Sequence, residues 1–150
     1  MIGEMSFSAL AETLPARHLG GENFFSELST DSRNLSSGSA FLALKGERFD
    51  GHDHVDSAIK AGASGAIVAQ TSDADVPQLI VDNTHHALRD IARLNRERST
   101  AKVVALTGSQ AKTTIKELIS GILSEAAPTL RTEANLNNTI GVPLTLLRLQ

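Results

Sequence analysis

Apolar residues in the first third of the chain occur at helical spacing or in short continuous runs. Phe7, Leu10 and Leu14 recur three or four residues apart, which predicts a helix with one buried face. Residues 40–44 form an apolar run between the stretches SSGS and KGERFDGH. Because turn-forming residues bound this run on both sides, it predicts a short buried strand.

The middle of the chain continues the alternation of helices and strands. Residues 55–61 have helical spacing and are followed by Gly62, a helix stop signal. Short apolar runs at 65–69 and 79–81 predict two further strands. Helices that alternate with strands in this way predict an α/β fold.

A helix rich in charged residues is predicted over 83–100, where it connects two units, 1–82 and 101–150. His85 and His86 are adjacent near its start. On a helix their side chains point about 100° apart, so they cannot share a metal ion as an i,i+4 pair would. A solvated helix start is therefore predicted for both.

The second unit begins with an apolar run at 103–106, which predicts a strand. Residues 112–123 have helical spacing, and TLRT at 129–132 predicts the next strand. Strand, helix and strand in this order predict one βαβ crossover of about the usual size.

Composition and charge narrow the classes of function. The 150 residues carry a net charge of −3, which argues against nonspecific binding to nucleic acid. The chain has no cysteine, which excludes disulfides and a thiolate nucleophile and is compatible with a cytoplasmic protein. No apolar run reaches the roughly 18–20 residues that span a bilayer, so no membrane partner is predicted.

The stretch TGSQAKTT, residues 107–114, lies between the predicted strand and helix and is the strongest candidate for chemistry. Backbone amides at a helix start bind phosphate oxygens, a lysine there neutralises the terminal phosphates, and the next hydroxyl is suited to Mg²⁺. These roles fall on Lys112 and Thr113. The alternative is an ordinary strand-to-helix turn that Ser109 or Thr107 caps.

Longer stretches carry a family resemblance. TGSQAKTTIKELISGIL, TEANLNNTIGVPLTLLRL and STDSRNLSSGSAFLALKGERFDGHDHVDSAIKAGASGAIV are similar, in collinear order, to the ATP-dependent Mur ligases of peptidoglycan synthesis. ALKGERFDGHD and NLNNTIGVPLTLL most resemble the branch that adds D-alanyl-D-alanine to UDP-N-acetylmuramoyl-tripeptide. The competing branch adds the third amino acid of that peptide.

The resemblance implies a small N-terminal α/β domain for the UDP-substrate, over 1–82, followed by the first βαβ of a central ATPase domain. It therefore implies a fragment or truncated product of a three-domain enzyme, inactive by itself. The complete enzyme would use ATP and Mg²⁺ to form an acyl phosphate that D-alanyl-D-alanine displaces, as a cytoplasmic monomer. A non-catalytic truncated homologue that binds only the UDP-substrate is the alternative.

Site residues are carried over position by position from this resemblance. The ATP-binding set is Thr107, Gly108, Ser109, Gln110, Ala111, Lys112, Thr113 and Thr114, with Lys112 catalytic and Thr113 on the metal. The substrate-binding set is Ser32, Arg33, Lys45, Gly46, Arg48, Phe49, Asp50, Asn135, Asn137 and Asn138. Without the resemblance, the residues of the second set would be read as turn formers.

Three positions depart from the family pattern: Ala111 and Ala134 replace glycines, and Thr139 replaces an aspartate. If position 111 requires a positive φ, alanine costs about 1–2 kcal/mol there. The sequence therefore predicts weakened ATP binding.

Overall fold

The computed structural model describes residues 1–47, 49–133 and 136–150. The strands are β1 (Met5–Ser6), β2 (Ala16–Leu19), β3 (Phe24–Phe25), β4 (Leu28–Ser29), β5 (Ala40–Leu42), β6 (Gly65–Val68) and β7 (Gln78–Val81). The helices are α1 (Phe7–Thr13), α2 (Val55–Lys60), α3 (Thr84–Glu97), α4 (Lys112–Ser124) and α5 (Gly141–Leu147), and a 3₁₀ helix covers Gly51–His54. No helix within these ranges is both long and apolar enough to cross a membrane.

A five-stranded sheet in the order β2-β7-β6-β5-β4 organises the fold. β4, β5, β6 and β7 run parallel, and only β2 is antiparallel to its neighbour. β1 and β3 form a separate two-stranded ribbon. The predicted α/β class is confirmed, and the parallel order brings the carboxyl ends of four strands to one edge.

The sheet is covered on both faces because successive side chains of its central strands alternate between two apolar cores. Leu42 and Ile67 pack in one core with α1 and α3, whereas Phe41 and Val68 pack in the other with α2. Strands buried on both faces are expected to be continuously apolar, as these are. This explains why the apolar runs at residues 40–44 and 65–69 correctly predicted strands.

The predicted strands on either side of α4 are wrong. Residues 103–106 and 129–132 form no strand, and Val103 and Val104 are exposed. A strand requires a neighbour for its backbone groups, and none of the described residues provides one here. α4 itself forms as predicted, but its apolar residues Leu118 and Ile122 are 64% and 73% exposed.

α5, which the sequence did not reveal, connects the end of the chain to the first core. Leu147 is buried in the same cluster as Leu88 and Ile91 of α3. Asn95, also on α3, donates from Nδ2 to the Leu146 carbonyl at 2.8 Å. The helix predicted as a connector is thus part of the core and is also the surface on which α5 packs.

Candidate functional site

The carboxyl edge of the parallel sheet gathers most of the predicted substrate residues. The turn that contains Ser32 follows β4, the loop 45–50 follows β5, and α3 begins directly after β7. Ligands of open α/β sheets bind at this edge, outside the carboxyl ends of the strands. The fold therefore brings Ser32 and the loop 45–50 to one edge although they lie well apart in sequence.

The turn after β4 is held by an internal ion pair. Arg33 donates from Nε and Nη2 to the two carboxylate oxygens of Asp31, at 2.9 and 2.8 Å. This hydrogen bonding with Arg33 lowers the pKa of Asp31 to about 2. Ser32 lies half-buried between them, and the exposed Arg33 guanidinium remains at the surface of the edge.

The loop after β5 is a closed turn with its charges paired. The Gly46 amide donates to the Phe49 carbonyl at 2.8 Å, and Lys45 Nζ lies 2.9 Å from Asp50 Oδ2. Hydrogen bonds from Lys45 and then His52 hold the pKa of Asp50 well below its usual range. Arg48, predicted as a diphosphate contact, lies outside the described residues.

Gly51, which ends this loop, is required by a close backbone approach. A Cβ built there would lie 2.8 Å from Ala43 Cα and from the Leu44 nitrogen and oxygen. The Gly51 amide donates to that same Leu44 carbonyl at 2.7 Å. The loop is therefore pressed directly onto the end of β5, which limits its freedom.

An aromatic pair joins the loop to the end of the 3₁₀ helix that follows it. The ring of Phe49, 51% exposed, stacks on the ring of His54 with centroids 5.1 Å apart and 13° between planes. His54 also lies near enough to Asp31 to help lower its pKa. Phe49 and His54 therefore hold the loop and the 3₁₀ helix together at this edge.

The sequence missed the histidines of this edge. His85 Nε2 donates to the Lys45 carbonyl at 2.8 Å, so the predicted solvated helix start is wrong for His85 and holds for the exposed His86. His52 and His54 follow the loop directly. The only signal for His52 and His54 was their position just after FDG. Nothing in the sequence indicates that His85 contacts Lys45, 40 residues earlier.

The asparagine segment is only partly described. Asn135 and the altered Ala134 lie outside the described residues, and Asn137 is exposed. Asn138 Oδ1 accepts the amides of Ile140 and Gly141 at 3.1 and 2.7 Å, at the start of α5. Asn138 therefore acts as a turn former here, and its side-chain nitrogen remains the group with which it would contact a ligand.

The candidate phosphate loop ends at Ala111, directly before α4. Ala111 has φ 60° and ψ 7°, and it is the only described residue other than glycine with a positive φ. Among the described residues no side chain caps this helix, which contradicts the alternative that Ser109 or Thr107 caps it. Ala111 therefore has the left-handed backbone conformation in which an alanine is strained.

The loop fits a phosphate group. The amides of the first turn of a helix have no acceptor within the helix, and here no side chain that the structure describes accepts from them. Lys112 Nζ turns back onto the Gly108 carbonyl and Thr113 is exposed beside it. Within the described ranges no three acidic or histidine side chains cluster as metal ligands.

Replacing Ala111 by glycine is expected to stabilise the start of α4. The left-handed cost of alanine, about 1–2 kcal/mol, exceeds the roughly 0.4–1 kcal/mol by which glycine favours the unfolded chain. Amide hydrogen exchange across α4 should therefore slow by a few-fold. Ala101→Gly, at an exposed position with negative φ, is the control and should not slow exchange. Faster exchange in Ala111→Gly would contradict the strain.

Two parts of the chain match models of known protein families. Residues 25–96 match "Mur ligase family, catalytic domain" and residues 106–150 match "Mur ligase middle domain". The chain is 46% identical over 145 residues to the UDP-N-acetylmuramoyl-tripeptide--D-alanyl-D-alanine ligase of Escherichia coli (strain K12), with 97% of this chain and 32% of that protein covered. The corresponding ligase of Haemophilus influenzae is 45% identical, with 97% and 33% covered.

Solved structures agree with these relatives. A crystal structure of MurF from Acinetobacter baumannii has a TM-score of 0.90 and 42% identity, covering 99% of this chain and 34% of that one. MurF ligase from Thermotoga maritima, in complex with ADP, has a TM-score of 0.73 and 34% identity, covering 81% and 28%. The chain thus spans about a third of the length of the proteins it matches. With two Mur ligase matches in sequence order and this similarity along nearly all its length, the chain belongs to the Mur ligase family.

Proposed function

We propose that this chain is the UDP-substrate-binding part and the phosphate loop of an ATP-dependent ligase of peptidoglycan precursor synthesis. The reaction proposed for the complete enzyme is the addition of D-alanyl-D-alanine to UDP-N-acetylmuramoyl-tripeptide. The observation that carries this is the shared sheet edge of Ser32 and the 45–50 loop, in a chain 46% identical to a ligase named for that reaction. The units proposed are 1–82, a connector over 83–100, and 101–150.

The sheet edge has the groups that a nucleoside diphosphate requires. Lys45 and Arg33 are exposed cations suited to the diphosphate, although each is already paired with a carboxylate. Ser32 offers a hydroxyl to the base or sugar, and Phe49 offers an exposed ring face. The proposed task of this edge is to hold the uridine end of the substrate while its peptide extends away.

The phosphate loop has a separate task. ATP, when bound, supplies the phosphoryl group that activates the peptide carboxylate. Lys112 would leave the Gly108 carbonyl and neutralise the terminal phosphates, and the free amides at the start of α4 would hold phosphate oxygens. Thr113 would contribute its hydroxyl to Mg²⁺. These residues bind and orient, and they supply no proton.

One observation favours the second candidate, a non-catalytic homologue that binds the UDP-substrate alone. Ala111 occupies a left-handed position at the point where the loop approaches a phosphate. Its cost of about 1–2 kcal/mol corresponds to about tenfold weaker nucleotide binding if the free loop relaxes from this conformation and binding restores it. Retention of UDP-substrate binding, together with a loss of ATP binding that Ala111→Gly restores, would support this candidate. The ligase that adds the third amino acid remains the alternative within the family.

Isothermal titration of the 150-residue chain with UDP-N-acetylmuramoyl-tripeptide is expected to show saturable binding. UDP alone should bind more weakly, and CDP more weakly than UDP if the edge recognises uracil. Lys45→Gln should weaken binding by a few-fold because it removes an exposed cation beside the diphosphate. Absence of heat at millimolar ligand would reject the substrate edge.

A further inference from the structure

His52 bridges the 45–50 loop to the sheet through both ring nitrogens. Nδ1 lies 2.6 Å from Asp50 Oδ1, and Nε2 lies 2.9 Å from the backbone nitrogen of Ala69, directly after β6. The side chain of His52 is 19% exposed and belongs to neither apolar core. These two polar contacts join the loop to a neighbouring strand end.

The two contacts fix the tautomer. The Ala69 backbone N–H can only donate, so Nε2 accepts and carries no proton in this arrangement. The ring proton then lies on Nδ1 and is donated to the Asp50 carboxylate. A neutral histidine makes both bonds at once, whereas glutamine or asparagine can reproduce only one of them.

Asp50 is the point at which this bridge reaches the loop. The same carboxylate accepts the His52 backbone amide at 3.1 Å, which caps the 3₁₀ helix, and it pairs with Lys45. Phe49 precedes Asp50 directly. Holding Asp50 thus fixes both the Lys45 ammonium and the direction in which Phe49 leaves the turn.

We propose that His52 is a positioning residue for the substrate edge. It holds Asp50 against the end of β6 and so keeps Lys45 and Phe49 in place for the nucleoside diphosphate. His52 itself does not contact the ligand. This inference rests on the proposed function for its ligand, but its geometry is testable in the free chain.

The first experiment compares His52→Gln with the unaltered 150-residue chain. Glutamine can still accept from Ala69 but releases Asp50, so UDP and UDP-N-acetylmuramoyl-tripeptide should bind about tenfold more weakly, the effect of one lost hydrogen bond to a charged group. The melting temperature should fall by only a few degrees, because one hydrogen bond is lost while both apolar cores remain intact. His86→Gln, at an exposed position of α3, is the matched control and should bind as the unaltered chain does.

A second variant separates the two bonds. His52→Asn places an amide near the position of Nδ1, so it retains the contact to Asp50 and gives up the contact to Ala69. Binding intermediate between the unaltered chain and His52→Gln supports the bridge. Unchanged affinity in His52→Gln, or equal loss in His86→Gln, overturns it.

Nuclear magnetic resonance of the free chain tests the inference without any ligand. Long-range ¹H–¹⁵N spectra should show the His52 proton on Nδ1, and His52→Gln should shift the amides of Gly46 and Phe49. If UDP does not bind the unaltered chain, the proposed function fails, while these spectra still decide the role of His52. A proton on Nε2, or unshifted loop amides, overturns the positioning role.

Discussion

Replacing Asn95 by leucine is expected to lower the free energy of unfolding by about 3 kcal/mol, since each buried backbone group left unpaired costs about 1–3 kcal/mol. Asn95 is fully buried. Its Oδ1 accepts the Ile2 amide at 2.7 Å and its Nδ2 donates to the Leu146 carbonyl at 2.8 Å. Leucine has nearly the same shape but leaves the Ile2 amide without a partner and the Leu146 carbonyl with only a backbone donor, the Leu149 amide at 3.2 Å.

Urea denaturation followed by circular dichroism measures this loss. Asn34→Leu, at an exposed turn position, is the control and should change the free energy of unfolding by less than about 0.5 kcal/mol. Amide exchange in α5 should also accelerate in Asn95→Leu, because Asn95 is the polar contact between α3 and α5. Equal stability of the two variants would show that Ile2 and Leu146 find other partners.

Replacing Gly65 by alanine is expected to destabilise the chain by about 3 kcal/mol or more, the upper range for an overpacked core. An added Cβ would lie 2.5 Å from Phe7 Cζ and 2.6 Å from the Pro77 carbonyl oxygen. Phe7 is fully buried, and the Pro77 carbonyl accepts the Ala66 amide in the ladder between β6 and β7. Neither can move without disturbing the core or the sheet.

The matched control is Gly21→Ala, where an added Cβ meets nothing within 4 Å and φ is not in the left-handed region. Its melting temperature should stay within a few degrees of the unaltered chain, whereas Gly65→Ala should melt on the order of 10 °C lower. A small decrease in the melting temperature of Gly65→Ala would mean that α1 can move away from the sheet. The nuclear magnetic resonance signals of Phe7 would then show altered packing.

The elements that the sequence revealed are those with a local signal. α1, α2 and α3 have apolar residues at helical spacing, and β5, β6 and β7 are continuous apolar runs between turn residues. β1, β3 and β4 have two residues each and exist only because distant partners pair with them. α5 has a local start signal in Asn138, but it has only seven residues and gains its burial from α3, so its formation depends on tertiary contacts.

In the region of the phosphate loop, the local sequence pattern predicted one element correctly and another wrongly. The helix start at Lys112 followed from the motif, whereas the positive φ of Ala111 was only a condition in the sequence argument and is given by the structure. The strand predicted before it did not form, because an apolar run indicates burial but cannot supply the neighbouring strand that burial requires. Val103 and Val104 are consequently exposed.

By itself the sequence determined the α/β class, the family, and the residue types at each candidate site, because periodicity and motifs are properties of adjacent residues. Only the tertiary structure decided that Ser32, Phe49 and His54 share one sheet edge, and that His52 and His85 anchor the loop. Those contacts join residues up to 40 positions apart, and which polar groups meet across such a separation depends on how the parallel strands align.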